Sequence, residues 1–393
     1  MSGWSDLVGQ EAAIDTLLDA ATDPAAMTHS WLITGPPGSG RSNLAFAFAA
    51  TLLQGQLAPA RDEQPSPEAA RIQAQVDARS HPDLAVLATD RVIISIDEVR
   101  HLVAQSQFSP SVAPYRVIVI EDADRMTERT SNVLLKALEE PPPRTVWILC
   151  APSEADLIPT IRSRVRSVRL RVPTVAEVAA LLVRRDGVDP ALAETAAREA
   201  QTHIGMAHRL ATDVDARARR ARSLELVLGV QSVSGAVLAA EQLVAVATDD
   251  AKALTAIREE EERAAALRSL GVEPGGTVPP ALRASLKALE EDQKRRATRS
   301  VRDGIDRVLV DLMSLHRDVL LLQLGADSEL VNEAVRPQLE RLAREGDAER
   351  SLAALDAISL ARRRIEGNVP PALALEAMLI AGSGRVPALG SAA

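Results

Sequence analysis

A chain of 393 residues that is 46% hydrophobic and 25% charged carries enough apolar material for more than one core, which excludes global disorder. Its formal charge of -9 (45 Lys and Arg against 54 Asp and Glu) is opposite in sign to a surface that coats nucleic acid, and 2% aromatics leave few platforms for base stacking. One cysteine, Cys150, excludes an internal disulfide and a zinc site built from several thiolates.

The opening residues Met1-Ser2-Gly3-Trp4-Ser5-Asp6 show no basic region followed by an apolar stretch. No apolar run approaches the roughly 20 residues of a membrane span. The expectation is a soluble, cytoplasmic protein without membrane contact.

Short apolar runs recur along the first 172 residues: Trp31-Leu32-Ile33, Leu84-Ala85-Val86-Leu87, Val117-Ile118-Val119-Ile120, Val146-Trp147-Ile148-Leu149 and Val168-Arg169-Leu170. Helix-length segments separate them, which predicts an α/β domain with a parallel sheet covered on its faces. After the first run comes Gly35-Pro36-Pro37-Gly38-Ser39-Gly40-Arg41-Ser42, which meets every fixed position of G-x-x-x-x-G-K-[ST] except Lys. Glycines let backbone N–H groups approach a phosphate, and the following helix start adds partial positive charge. Arg41 replaces a compact ammonium with a wide planar fork, which predicts weak or unproductive nucleotide binding. The alternative is a plain tight turn.

Residues 60–79, rich in Ala, Gln, Pro and charge, read as an exposed connection. Ser95-Ile96-Asp97-Glu98 has capping-box spacing and opens a helix. The strand at 117–120 ends in Glu121-Asp122-Ala123-Asp124, where phosphate-loop proteins hold magnesium and orient a water. Glu121 and Asp122 stand in the reverse of the usual Asp-then-Glu order; acids that merely solvate a strand end are the alternative. Leu134, Leu135 and Leu138 stripe a helix that stops before Pro141-Pro142-Pro143.

The sequence changes character at Val172-Pro173. Thr174-Val175-Ala176-Glu177 opens a helix to about Arg184, and two short helical patterns reach about Ala211. The expected domains are a phosphate-loop domain over 1–172, a small helical lid over 173–212 and an all-α domain over 213–393. In the last, Val301, Ile305, Val308, Leu309, Leu312, His316, Val319 and Leu320 make one apolar face, with His316 read as packed. Glu259–Glu262 reads as a solvated helix face, and Gly271-Val272-Glu273-Pro274-Gly275-Gly276 as a break.

Further motifs give a specific likeness. Val8-Gly9-Gln10, the phosphate loop, His81-Pro82-Asp83, Glu121–Asp124, the run Asn132–Pro142 and Pro159-Thr160-Ile161-Arg162-Ser163-Arg164 occur in that order. This order resembles the bacterial clamp loaders, AAA+ proteins, and within them the delta prime subunits of DNA polymerase III of the actinobacterial kind. The likeness is dense over residues 5–172, looser over the lid and weaker in the last third.

The resemblance implies a three-domain subunit of a pentameric ring, its third domain forming part of a helical collar. Val8, Gly9, Gln10, Gly35, Gly38, Gly40, Arg41, Ser42, Glu121 and Asp122 fall on the nucleotide-binding positions, which leaves room for ATP or ADP, weakly held or non-hydrolysed, and for Mg. The family's Ser-Arg-Cys maps to Ser163-Arg164-Val165, and Arg164 is the expected catalytic finger in a neighbour's ATP site; a surface salt bridge is its plainer alternative. Implied partners are tau/gamma motor subunits, a delta subunit, the sliding clamp indirectly, and primer-template DNA through the assembled ring.

Three departures from the family stand out. Residues 53–80 lack the four cysteines of the usual zinc module, so no zinc is expected. The lid's sensor Arg falls at His208, counted from Gly205, with Arg209 beside it. The sensor after the fourth strand falls at Ala151-Pro152, which has no hydrogen-bonding side chain. The expected function is therefore a non-motor subunit with little ATPase activity of its own, inside a DNA-directed DNA polymerase (nucleotidyltransferase) holoenzyme. The alternative is an active AAA+ ATPase, a motor subunit or helicase, that binds ATP through Gly35–Ser42.

Overall fold

The computed structural model describes residues 3–4, 6–59, 64–89, 93–269 and 283–382. The Gly271–Gly276 break and the side chains of Glu259–Glu262 lie outside the described residues. The chain forms two compact units, Met1–Thr212 and Asp213–Ala393.

All five apolar runs become strands of one parallel sheet: β1 (Ser30–Thr34), β2 (Leu84–Leu87), β3 (Arg116–Ile120), β4 (Thr145–Ala151) and β5 (Arg166–Arg169). Their order is β2-β3-β4-β1-β5, with Trp31 opposite Ile148 and Ile118 opposite Trp147. Because side chains alternate along a strand, the sheet feeds two separate cores. Trp31, Ile33, Val117, Val119, Val146 and Ile148 face one way, under α1 (Glu11–Thr22) and α2 (Arg41–Gln54). Leu32, Ile118, Ile120, Trp147 and Leu149 face the other, under α4 (Ile96–Ser106) and α5 (Glu128–Glu139). Both faces are covered, which is why the strands read as unbroken apolar runs rather than alternating ones.

The 60–79 stretch corrects the sequence reading. It contains α3 (Pro67–Asp77), capped by the Ser66 hydroxyl and with Pro67 in its first turn. Ala69, Ile72 and Val76 are buried, and Gln54 Nε2 donates to the Ala69 carbonyl at 2.9 Å, which ties α3 to α2. Only three residues of α3 are buried, as many as are charged, so no apolar run marks the helix in a compositional average.

The capping boxes form as expected. Ser95 caps α4 with reciprocal bonds to Glu98, and Thr174 does the same with Glu177 at the start of α7 (Val175–Asp186). With α8 (Pro190–Glu199) and α9 (Ile204–Thr212), α7 encloses its own small core around Leu181, Leu182, Ala196 and Leu210.

The elements described in the second unit are all helices, the longer ones being α10 (Val214–Leu228), α11 (Val233–Ser269), α12 (Arg283–Leu324), α13 (Arg336–Glu345), α14 (Ala348–Glu366) and α15 (Pro371–Gly382). Ile305, Leu309, Leu312 and Val319 of α12 are buried in its core, as the 3.6-residue period requires. The α11 and α12 backbones approach closely at Gly304, where a Cβ would stand 2.9 Å from the Ala247 carbonyl oxygen. His316 belongs to the same helix, and burial pushes its pKa down to about 4, so it packs as a neutral ring. No helix of the described residues is long and apolar enough to cross a membrane.

Candidate functional site

In an open parallel sheet, ligands meet the chain beyond the carboxyl ends of the strands. The phosphate loop leaves β1 at that edge and enters α2. Gly35 is required by space, since a Cβ there would lie 2.7 Å from Ser39 Oγ and 2.8 Å from Leu170 Cβ. Gly38 (φ 78°) and Gly40 (φ 94°) adopt the left-handed region that favours glycine. Gly40 precedes α2 and supplies no side-chain cap, so N–H groups at the helix start are left for an anion.

The cation of this loop is turned onto its own backbone. Arg41 Nη1 donates to the Gly35 carbonyl at 2.8 Å. Gly35 N in turn donates to the Pro152 carbonyl at 3.2 Å, so the position after β4 contributes a main-chain oxygen to the loop in place of a sensing side chain. From the lid, the His203 ring packs so closely that a Cβ on Gly38 would lie 2.2 Å from it, and Ile204 N donates to the Gly38 carbonyl at 3.3 Å.

The acids named from sequence are also engaged. Arg79 Nη2 donates to Glu121 Oε1 at 2.7 Å. Asp122, in the left-handed region at φ 51°, lies 3.5 Å from Arg125. The acid of this segment with an unpartnered oxygen is Asp124, whose Oδ1 is buried without a hydrogen bond. Burial raises its pKa and Asp122 adds to that, against its own backbone amide, Arg125 and Arg41. Asp124 therefore sits within electrostatic reach of the loop's cation. Among the described residues, no group of three or more His, Cys, Asp or Glu is placed to hold a metal ion.

At the Val8-Gly9-Gln10 corner, Gln10 is buried and its amide pairs twice with Arg171 main chain, Nε2 to O at 2.9 Å and N to Oε1 at 3.0 Å. Arg171 lays its guanidinium over Gly9, 2.5 Å from where a Cβ would stand, and reaches Glu177 of α7 at 2.9 Å. Arg171 and the Thr174 amide hold the Glu177 carboxyl at about 2. His208, expected at the lid's sensor position, has its Nδ1 2.7 Å from Asp186 Oδ2, and Arg185 donates to the same carboxylate.

Arg164 follows α6 (Pro159–Arg162) on the surface. Its Nε and Nη2 meet a single oxygen, Glu139 Oε1, at 2.6 and 2.5 Å. Its Nη1 donates to the Thr160 carbonyl at 2.7 Å and to Ser163 Oγ at 3.0 Å. The plainer expectation for this residue, a surface salt bridge, is thus what the isolated chain contains.

The structure brings Gly35–Ser42, Pro152, His203 and Asp124 toward one place and leaves Ser163 and Arg164 on a separate patch of the same unit. His203, beside Gly38, and Arg79, beside Glu121, are neighbours that sequence reasoning missed, whereas Asp124 stood in the acidic motif but was not among the residues assigned to nucleotide. The signal for His203 was its place two residues before Gly205, at the start of a lid helix.

Residues 9–174 match the family model described as DNA polymerase III, delta subunit. This part of the chain is similar to the clamp-loader subunits of DNA polymerase III. The delta' subunit of DNA polymerase III from Pseudomonas aeruginosa is 35% identical over 142 residues, covering 36% of this chain and 42% of that protein. The gamma/tau subunit from Mycobacterium tuberculosis is 27% identical over 192 residues, covering 47% of this chain and 31% of that protein. A gamma subunit-related protein of Thermotoga maritima aligns over 95% of this chain and 99% of its own, at 17% identity and TM-score 0.45. The chain spans less than half the length of the curated clamp-loader relatives named above.

Proposed function

We propose that this chain is a delta prime-type, non-motor subunit of a DNA polymerase III clamp-loader ring, acting in the cytoplasm in DNA replication. On this reading it sits between a tau/gamma motor subunit and a delta subunit and helps place the sliding clamp on primed DNA. It supplies Arg164, oriented by Ser163, to ATP hydrolysis on the adjoining motor. The observation that carries the reading is Arg41 bonded to the Gly35 carbonyl: the residue that should meet phosphates meets its own loop instead.

The fit to nucleotide is partial. The left-handed glycines and the uncapped start of α2 suit a di- or triphosphate, which Gly35, Gly38, Gly40, Arg41 and Ser42 would hold beside Val8–Gln10. Magnesium is not supported in the same way, because Glu121 is paired with Arg79 and Asp122 with Arg125. Phosphate binding without turnover is the expected behaviour.

The intact anion geometry also favours a second reading, an ATPase in its own right. Measuring MgATP binding and turnover on the isolated chain separates the two, because vigorous turnover by the lone subunit excludes the non-motor role. In a ring reconstituted with motor and delta subunits, Arg164→Ala should lower ATP turnover by about tenfold or more. A ring that keeps its rate excludes the finger.

A further inference from the structure

We propose that Glu139 is a positioning residue for Arg164: its carboxylate holds the guanidinium parked, and an oxyanion of the neighbouring subunit's nucleotide must displace it before the finger can act. The inference depends on the trans-acting role of Arg164 stated above.

The parked geometry is specific. A guanidinium has five N–H donors in a fixed fork. Four contacts are made here, two to Glu139 Oε1 and one each to Thr160 O and Ser163 Oγ. The Nε/Nη2 edge, suited to a carboxylate or phosphate, is the edge that Glu139 takes. A phosphate oxygen arriving from another chain competes for that same edge.

The location of Glu139 supports the same conclusion. It is the last residue of α5, beside a second acid, Glu140, and ahead of Pro141. The carboxyl end of a helix carries partial negative charge, so an acidic pair there is disfavoured unless a cation answers it. Lys136 stands in the same last turn, and Arg164 is the cation bonded to Glu139 itself.

Magnitude decides that this is a latch and not a lock. Both side chains are partly exposed, 33% for Arg164 and 45% for Glu139, so the pair lies in the range of surface ion pairs. Such pairs yield readily to a multiply charged phosphate brought in by ring assembly. The cost of release should lower the rate of the wild-type ring by about 1.5- to 5-fold relative to an unlatched finger.

The test uses the full-length chain in a ring reconstituted with motor and delta subunits, clamp and primed DNA, with steady-state ATP turnover as the readout. Glu139→Gln should raise kcat by about 1.5- to 5-fold and leave KM for ATP within twofold, since the finger acts on the reacting phosphate. In an Arg164→Ala background, Glu139→Gln should change nothing. A Glu139→Gln ring no faster than wild type, while Arg164→Ala still slows it about tenfold or more, overturns the latch and leaves the finger reading intact. An equal gain in both backgrounds also overturns the latch. If Arg164→Ala has no effect, the finger reading fails and the latch with it.

Discussion

Replacing Asp83 with Asn removes a charge from a carboxylate that accepts five hydrogen bonds. Its side chain is fully buried, and Oδ1 accepts from Ser111 N at 2.6 Å, Ser111 Oγ at 2.7 Å and Arg116 Nη2 at 3.2 Å. Oδ2 accepts from Val112 N at 2.8 Å and Ala113 N at 2.9 Å. Burial pushes this carboxyl up, but the three backbone amides and the hydroxyl outweigh it and hold it at about 2. Against an ordinary value of 3.8, that depression corresponds to about 2 kcal/mol of stability at neutral pH. Asn also turns an amide NH2 toward donors and leaves the largely buried Arg116 without its carboxylate, so Asp83→Asn should cost about 2–4 kcal/mol.

The assay is urea unfolding followed by tryptophan fluorescence, because all three tryptophans (Trp4, Trp31 and Trp147) lie in the first unit. A carboxyl depressed in the folded state contributes fully above its unfolded value and loses that contribution as pH falls toward about 2. The wild-type advantage should therefore shrink by about 1 kcal/mol between pH 6 and pH 3. A variant within about 0.5 kcal/mol of wild type, or a difference that does not change over that range, would refute the assignment.

Two other outcomes follow from the site and from the second unit. Gly38→Ala should destabilise the first unit by about 1–3 kcal/mol in the same assay, from a positive φ and the collision with His203. Adding His203→Ala should recover the collision and leave about 1 kcal/mol for the backbone, and no recovery would mean that His203 is not the obstacle. His316, held neutral by burial with a pKa of about 4, should show imidazole proton resonances unmoved from pH 8 to about pH 5.5, with Glu345, Arg341 and Arg350 lining the same cavity. Because unfolding lets this ring protonate, thermal stability of the second unit should fall as pH drops from about 6.5 toward 4, less so in His316→Gln; titration near 6.5 would overturn its burial.

Much of the fold was legible because burial on both faces leaves its mark locally. Val117–Ile120 and Val146–Leu149 are short, and the first is wholly β-branched, which marks them as the middle of a covered sheet, and Ser95 and Thr174 announce their helices within four residues. Helix α3 escaped because its three buried residues are dispersed among Gln, Arg, Glu and Asp. The loop and the surface Arg164 were legible as motifs, but their states were not. Arg41 bonded to Gly35, Arg79 bonded to Glu121 across 42 residues of sequence, and His203 against Gly38 across 165 are pairings that only the folded chain creates. Asp83 was visible only as part of a tripeptide; that it anchors residues 111–113 follows from β2 and β3 lying side by side.

The joint between the sheet and its helical cover is pinned on two sides. Gln10 spans Arg171 like a rung of sheet, Arg171 continues into Glu177, and across the cleft Ile204 is bonded to Gly38. Opening that hinge means breaking main-chain and charged contacts together, not sliding one greasy surface over another. A part braced in this way keeps its loop and its helical cover in one fixed relation, so that a change at Gly38 is felt at Ile204 and one at Gln10 is felt at Glu177.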